Sequence, residues 1–472
     1  MSTALLIIGC IALFVPCYAR FGLLHPLTLT VALWLSISLL FAAHPADLVP
    51  PRMRVAAAIL LGLTALAMPS LLLGRSPRRE APSRPGENPR APVPVTFHVG
   101  RLVLVTVIVL GIVGWGVVQY RSAISAALGR PFGEADAKLV RWAELYGDLA
   151  LSGSVGVAMA LAPLLGAFAV IGGLCHRWWW YLLLPVALTA TMQSPSRTAT
   201  VTVLVTSVFF FVLLSRTPGL PRRRPPVAPS HWRTASLFSF VGALGLVYFS
   251  FVGQALEKSE VEPGLRTAGW LPDFLVQPLL YQLGSVSAFS AALDEPPDGE
   301  GPYGAFGRSV YAVVKLVQLV GVDIPTPAPF ASYVEIPIPF NTYTAFGDAY
   351  FDFGLTGVLV VFLFTGLALH TLTVWPRRGH PGSAWALSML MAVLTATPIH
   401  MRVLDGDILI PAAIGCAMVA FVLRPATART AGPAAVRAGG PMFTPRGVPP
   451  TDGSPDRGGP TPSGRETEAR GR

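Results

Sequence analysis

Long apolar runs almost free of charge succeed one another along this chain, and the links between them carry nearly all its acidic and basic residues. About 20 apolar residues suffice for a helix to cross a bilayer, and in lipid each such segment must satisfy its own backbone groups. Eleven runs qualify as candidate spans: 3–19, 22–43, 54–74, 102–120, 149–174, 178–193, 199–215, 235–255, 354–375, 383–399 and 407–423. They predict an all-α integral membrane protein, a polytopic bundle of about 11 transmembrane helices with one long loop, about 256–353, on the outer side. Within that loop the aromatic-rich stretches Gly269–Leu293 and Tyr303–Val320 predict helices in the interface or packed on the bundle. Pro325, Pro327, Pro329, Pro337 and Pro339 then predict an extended segment returning to the membrane at Phe340.

The positions of the arginines orient the bundle. Arg75, Arg78, Arg79, Arg84 and Arg90 share one link, and Arg216, Arg222, Arg223, Arg224 and Arg233 share another. Arg377 and Arg378 lie in a third, and Arg424 and Arg429 open the C-terminal tail. Basic residues flanking spans are retained in the cytoplasm. Eleven spans with the N-terminus outside place all four groups there and make 425–472 a cytoplasmic tail. That tail is rich in Pro, Gly, Arg, Ser and Thr and cannot bury a core, so disorder is expected from about 425 onward. The membrane domain is accordingly 1–424.

Composition agrees with this picture: 52% of the 472 residues are hydrophobic and 13% charged, where a soluble chain carries roughly a quarter charged. The net charge of +10 is no sign of nucleic acid, because the arginines sit beside spans and in the tail. Cys10, Cys17, Cys175 and Cys416 lie in or beside apolar runs, form no CxxC pair and lack zinc spacing with histidine. No metal site or cofactor is expected.

Candidate chemistry collects at the outer ends of spans. In the densest stretch, Phe340-Asn341-Thr342-Tyr343-Thr344 continues through Asp348, Tyr350, Asp352, Phe353, Gly354 and Gly357 into a span. Carboxylates and amides at membrane depth are costly unless they are paired or functional. The structural alternative is a helix start, with Asn341 or Asp348 as cap and the glycines allowing close packing. A second stretch, Thr191-Met192-Gln193-Ser194-Pro195-Ser196-Arg197-Thr198, is a short outer turn whose Arg197 suits a phosphate or diphosphate, or else lipid head groups. Arg121, Arg130, Arg141, Arg266, Arg308, Lys315, Arg402, Asp405 and Asp407 complete the outer-face charges, and His400 precedes the last turn.

Asn341-Thr342-Tyr343-Thr344, then Tyr350, then Asp352-Phe353-Gly354 and Gly357 entering a span, resembles the signature of the oligosaccharide repeat-unit polymerases, the Wzy-type O-antigen and capsular polysaccharide polymerases. The Ser196-Arg197 turn is similar to their small-residue–Arg turn, and the long outer loop also fits. Motif support covers roughly 190–375. The related ligases carry His-Asn at this junction, whereas Phe340 precedes Asn341 here, which favours a polymerase.

The resemblance implies glycosyl transfer at the outer face of the bacterial cytoplasmic membrane. A glycan on polyprenyl diphosphate would be the donor, and a lipid-linked repeat unit the acceptor whose hydroxyl attacks the anomeric carbon. It also allows a chain-length regulator protein as a partner. Under it, Arg197 stabilises the leaving diphosphate with Arg308 and Arg402 as further cations, and Asp348 and Asp352 are the acid–base candidates. Asn341, Tyr343 and Tyr350 would orient sugar. The competing expectations are another lipid-linked glycan transferase, of which a multispan polyprenyl-phosphate-dependent glycosyltransferase is disfavoured because the 44–53 link offers only Asp47 as an acid and a ligase by Phe340 before Asn341, and a flippase or transporter, disfavoured by the absence of an internal repeat.

Overall fold

The computed structural model describes residues 1–73, 95–146, 153–194, 197–217, 219–221, 266–293, 333–336, 338–375, 380–400 and 405–425, with single residues or short pieces within 242–251 and 309–322. Met1–Pro425 forms one compact unit, and the segment after it lies outside the described residues. So do most of 303–320, the loop prolines other than Pro339, and the basic links 74–94 and 222–233.

Helices dominate. They are α1 (Ser2–Phe21), α2 (Pro26–Ala42), α3 (Met53–Leu73), α4 (Val99–Leu128), α5 (Ala137–Tyr146), α6 (Gly153–Ala160) and α7 (Ala162–Cys175). The series continues with α8 (Leu183–Thr191), α9 (Arg197–Leu214), α10 (Asp273–Ala292), α11 (Ala345–Val374), α12 (Pro381–Ala396) and α13 (Gly406–Val422). Two small antiparallel pairs accompany them: β1 (Val95–Phe97) with β4 (Leu423–Pro425), and β2 (Val334–Glu335) with β3 (Pro339–Phe340).

Five segments are long and apolar enough to cross a membrane: α1, α3, α4, α6 with α7, and α11. Shorter apolar helices are α2, most of α9, α12 and α13. Large apolar side chains stay exposed along whole faces, such as Ile8, Ile11 and Val15 on α1, Val107, Trp115 and Val118 on α4, and Leu363, Phe364 and Leu367 on α11. Apolar surface of that extent is unsuited to water. With the helix lengths it defines a membrane-embedded helical protein.

Among lipid tails, apolar contact gives helices little reason to associate, so close packing through small residues must do so. The glycines follow that rule. A Cβ on Gly366 would stand 2.4 Å from the carbonyl oxygen of Leu66, so α11 lies directly on the backbone of α3. Gly116 receives Ala158, Gly172 receives the Trp180 ring, and Gly382 faces the Cys416 backbone. One core gathers α1, α2, α3, α10 and α11 around Trp34, Phe289, Phe346 and Phe362, the last two stacked 4.3 Å apart. Another gathers α4, α7, α8, α9, α12 and α13 around Phe168, Phe210 and Trp385.

Polar contacts sort the helix ends into two sets. In the first, the Ser2 hydroxyl donates to the Pro51 carbonyl, Ser287 Oγ donates to Val49 (2.7 Å), and the N–H of Asp47 reaches Arg266 (2.9 Å). The start of α11 joins the end of α12 through Ala345 N–H to Thr397 (2.9 Å), and the end of α4 joins the α8–α9 turn through Arg121 to Gln193. In the second set, Arg20 donates to Leu71 (2.6 Å), Arg101 to Phe421 (3.1 Å), and β1 pairs with β4. The candidate chemistry of the sequence falls on the first set.

Candidate functional site

Two groups of residues occupy this face. The first is the junction where the loop becomes α11. Phe340 ends β3 with its ring over Gly284 and 5.8 Å from the Tyr281 ring. The Thr342 and Ser285 hydroxyls lie 3.2 Å apart, which ties the junction to α10. Tyr343 is buried against Phe351, with ring centroids 5.3 Å apart, while Asn341 and Tyr350 are half-buried. The cap of α11 is Thr344, whose hydroxyl accepts from the Gly347 N–H (3.1 Å), rather than Asn341 or Asp348. Asp348 stands in the first turn, buried, where a carboxylate suits the positive end of the helix.

α11 is interrupted at Phe353 (φ −142°, ψ 16°) and Gly354 (φ 66°, ψ −157°). The break folds the helix start over the membrane segment, so that a Cβ on Gly357 would fall 2.4 Å from the carbonyl oxygen of Ala349. Asp352, just before the break, is 1% exposed. One of its oxygens accepts from both the backbone N–H (2.7 Å) and the hydroxyl (2.5 Å) of Ser309. Its carboxylate thus holds a residue of the long loop to the junction. Arg308, next to Ser309, and Arg402 lie outside the described residues.

The second group surrounds a cavity of about 220 Å³ between the end of α4, α6, the α8–α9 turn and the start of α13. Its polar lining is Tyr120, Thr191, Ser194, Thr202 and Asp407. Val155, Met159 and Pro163 supply apolar wall. Thr200 Oγ1, behind the turn, lies 3.0 Å from both Thr191 Oγ1 and the Tyr248 hydroxyl, and so braces α9 against α8. Gln193 is braced too, accepting from Nε (2.9 Å) and Nη2 (2.5 Å) of Arg121. Arg197 is the first residue of α9, two residues before Ala199 in the cavity wall; its side chain lies outside the described residues.

The structure thus brings Asn341, Tyr343, Asp348, Tyr350 and Asp352 together at the junction and places the backbone of Arg197 at the head of α9, next to the second group. The end of α12 and the start of α13 serve one group each, since Thr397 holds the α11 start and Asp407 lines the cavity. Sequence reasoning counts Asp407 among the outer-face charges without singling it out, and it passes over Tyr120 and Thr202. Their one signal is position near a span end. Among the described residues no group of His, Cys, Asp or Glu could hold a metal ion. Comparison with protein-family models, with curated proteins and with solved structures yields no match.

Proposed function

We propose that the protein is a polymerase of polyprenyl-diphosphate-linked oligosaccharide repeat units, a glycosyltransferase working at the outer face of the bacterial cytoplasmic membrane. In this reading the chain has eleven spans, an N-terminus outside and a cytoplasmic C-terminal tail. What supports the reading is one observation: the Asn341–Gly357 stretch, the head of α9 at Arg197 and α10 of the long loop all belong to the same set of helix ends, and that set contains a cavity. A transfer between two lipid-anchored substrates requires such an arrangement at one membrane surface.

The chemistry follows from the leaving group. Polyprenyl diphosphate departs with concentrated negative charge, which a fixed guanidinium stabilises more in the transition state than in the ground state. Arg197 takes that role, with Arg308 and Arg402 as further cations. Asn341, Tyr343 and Tyr350 shape the junction, Asp352 holds the loop, and Asp348 remains an acidic group beside them.

Deletion of the gene in its native host, followed by complementation, tests this. Loss of long polymer with persistence of single lipid-linked units outside the membrane is the expected result, and Arg197→Ala should fail to restore polymer. Accumulation of units inside the cell would instead indicate a flippase, and units lacking one sugar a simple glycosyltransferase.

A further inference from the structure

We infer that the cavity beside the head of α9 is the subsite for the terminal sugar of the acceptor, and that Asp407 takes the proton from its attacking hydroxyl. The inference rests on the polymerase reading and deepens it by assigning a substrate group and a base.

Size comes first. At about 220 Å³ the space falls below the roughly 300–1,000 Å³ of pockets for drug-sized ligands, so it admits about one ring rather than an oligosaccharide. Composition comes second. Sugars present hydroxyls around their edge and C–H groups on their faces. The hydroxyl-bearing Tyr120, Thr191, Ser194 and Thr202 line the cavity beside the apolar Met159 and Pro163. Charge comes third. The carboxylate of Asp407 stands in the described lining, and it suits a neutral group that must lose a proton. Position comes last. α9 starts at Arg197 and passes Ala199 and Thr202 in the wall, so a diphosphate at the head of α9 would stand next to a sugar held in the cavity.

The step balances with these groups alone. The acceptor O–H bond breaks and its proton passes to the Asp407 carboxylate. The oxygen forms a bond to the donor's anomeric carbon as the bond from that carbon to the diphosphate oxygen breaks, and polyprenyl diphosphate leaves with the electron pair. Asp407 then returns its proton to water.

The test uses the full-length protein in proteoliposomes, with lipid-linked repeat units purified from the host and, as a binding probe, the same oligosaccharide released from its lipid. Gly156 lines the cavity, and a Cβ there meets nothing within 4 Å, so Gly156→Leu is the variant expected to narrow the space. Ala160→Cys supplies a thiol in the wall whose labelling by a maleimide reports occupancy. The free oligosaccharide should slow that labelling, and Gly156→Leu should abolish the protection and the polymer together. Asp407→Asn should keep the protection while slowing polymerisation about 100-fold or more, as expected for loss of a general base, and Asp407→Glu should recover part of the rate. Normal polymerisation by the wild type and by Gly156→Leu would overturn the subsite and leave the polymerase reading standing. Normal polymerisation by Asp407→Asn would overturn the base assignment. Protection without polymerisation by the wild type would support the sugar site and overturn the polymerase reading.

Discussion

Gly354 holds a backbone conformation that residues with a Cβ avoid, and the break it creates points the first turns of α11 away from the line of the membrane segment. Gly354→Ala should therefore cost about 1–3 kcal/mol, measured as a lowered unfolding midpoint in detergent. Gly114→Ala, exposed on α4 with open space around it, should be neutral or slightly stabilising in the same assay. Asp352 poses a sharper question, because a buried carboxylate near a site invites a catalytic role. Both hydrogen bonds that it accepts from Ser309 fall on one oxygen. Asp352→Asn retains an acceptor there while Asp352→Ala leaves two buried donors without one. The Ala variant should lose about 1.5–3 kcal/mol and the Asn variant clearly less, with polymer yield following the amount of folded protein in each. An Asn variant that folds fully but makes no polymer would return Asp352 to the chemistry. The density of polar residues at 341–352 was legible in the sequence because it contrasts with apolar surroundings. Which of them bond to the loop was not, since Ser309 lies 43 residues away and no local pattern announces the pair.

The helices reward the reading of apolar runs because period and length are local properties. Ten of the eleven candidate spans coincide with described helical segments, with bounds that differ by a few residues at most ends, and only single residues or short pieces of 235–255 are described. The larger differences have local causes. α4 continues eight residues past 120 through Arg121–Leu128, a stretch of good helix formers, until Gly129 turns left-handed at φ 64° and stops it. α11 begins nine residues before 354 because Thr344 caps it, and sequence reasoning assigned the cap to its neighbours. Thr344→Ala should cost about 0.5–2 kcal/mol, and because Ala345 N–H is bound to Thr397, the loss should also loosen the end of α12. Slowed-exchange measurements on the amides of α12 residues 390–396 would register that loosening. Where two helices touch along a glycine, the pairing was not legible, since Gly366 looks like any other small residue in an apolar run. Its contact with the Leu66 backbone means that Gly366→Val must push α3 and α11 apart, at about 1–3 kcal/mol as for other overpacked cores.

At the scale of the whole molecule, the two sets of helix ends turn a question about function into one about sides. Every candidate site residue within the described structure belongs to the set that includes Pro51, Gln193 and Thr397, and the other set includes Leu71, Phe421 and β4. The basic links adjoin the second set: 74–94 follows α3 and precedes β1, and Arg377 and Arg378 lie between α11 and α12. The proposed orientation, with these arginines in the cytoplasm, would put the site outside, which a polymerase of exported lipid-linked units requires and an enzyme using cytoplasmic sugar donors would contradict. Single cysteines decide the matter. Asp47→Cys and Glu134→Cys stand at exposed positions of the first set, Leu23→Cys and His380→Cys at exposed positions of the second. A membrane-impermeant maleimide applied to intact cells, with the outer barrier opened, should label the first pair at once. The second pair should react only after the cytoplasmic membrane is permeabilised. The reverse pattern would put the cavity, the junction and Arg197 in the cytoplasm, away from any exported glycan, and mixed labelling within either pair would break the two-sided arrangement on which both the site and its substrate depend.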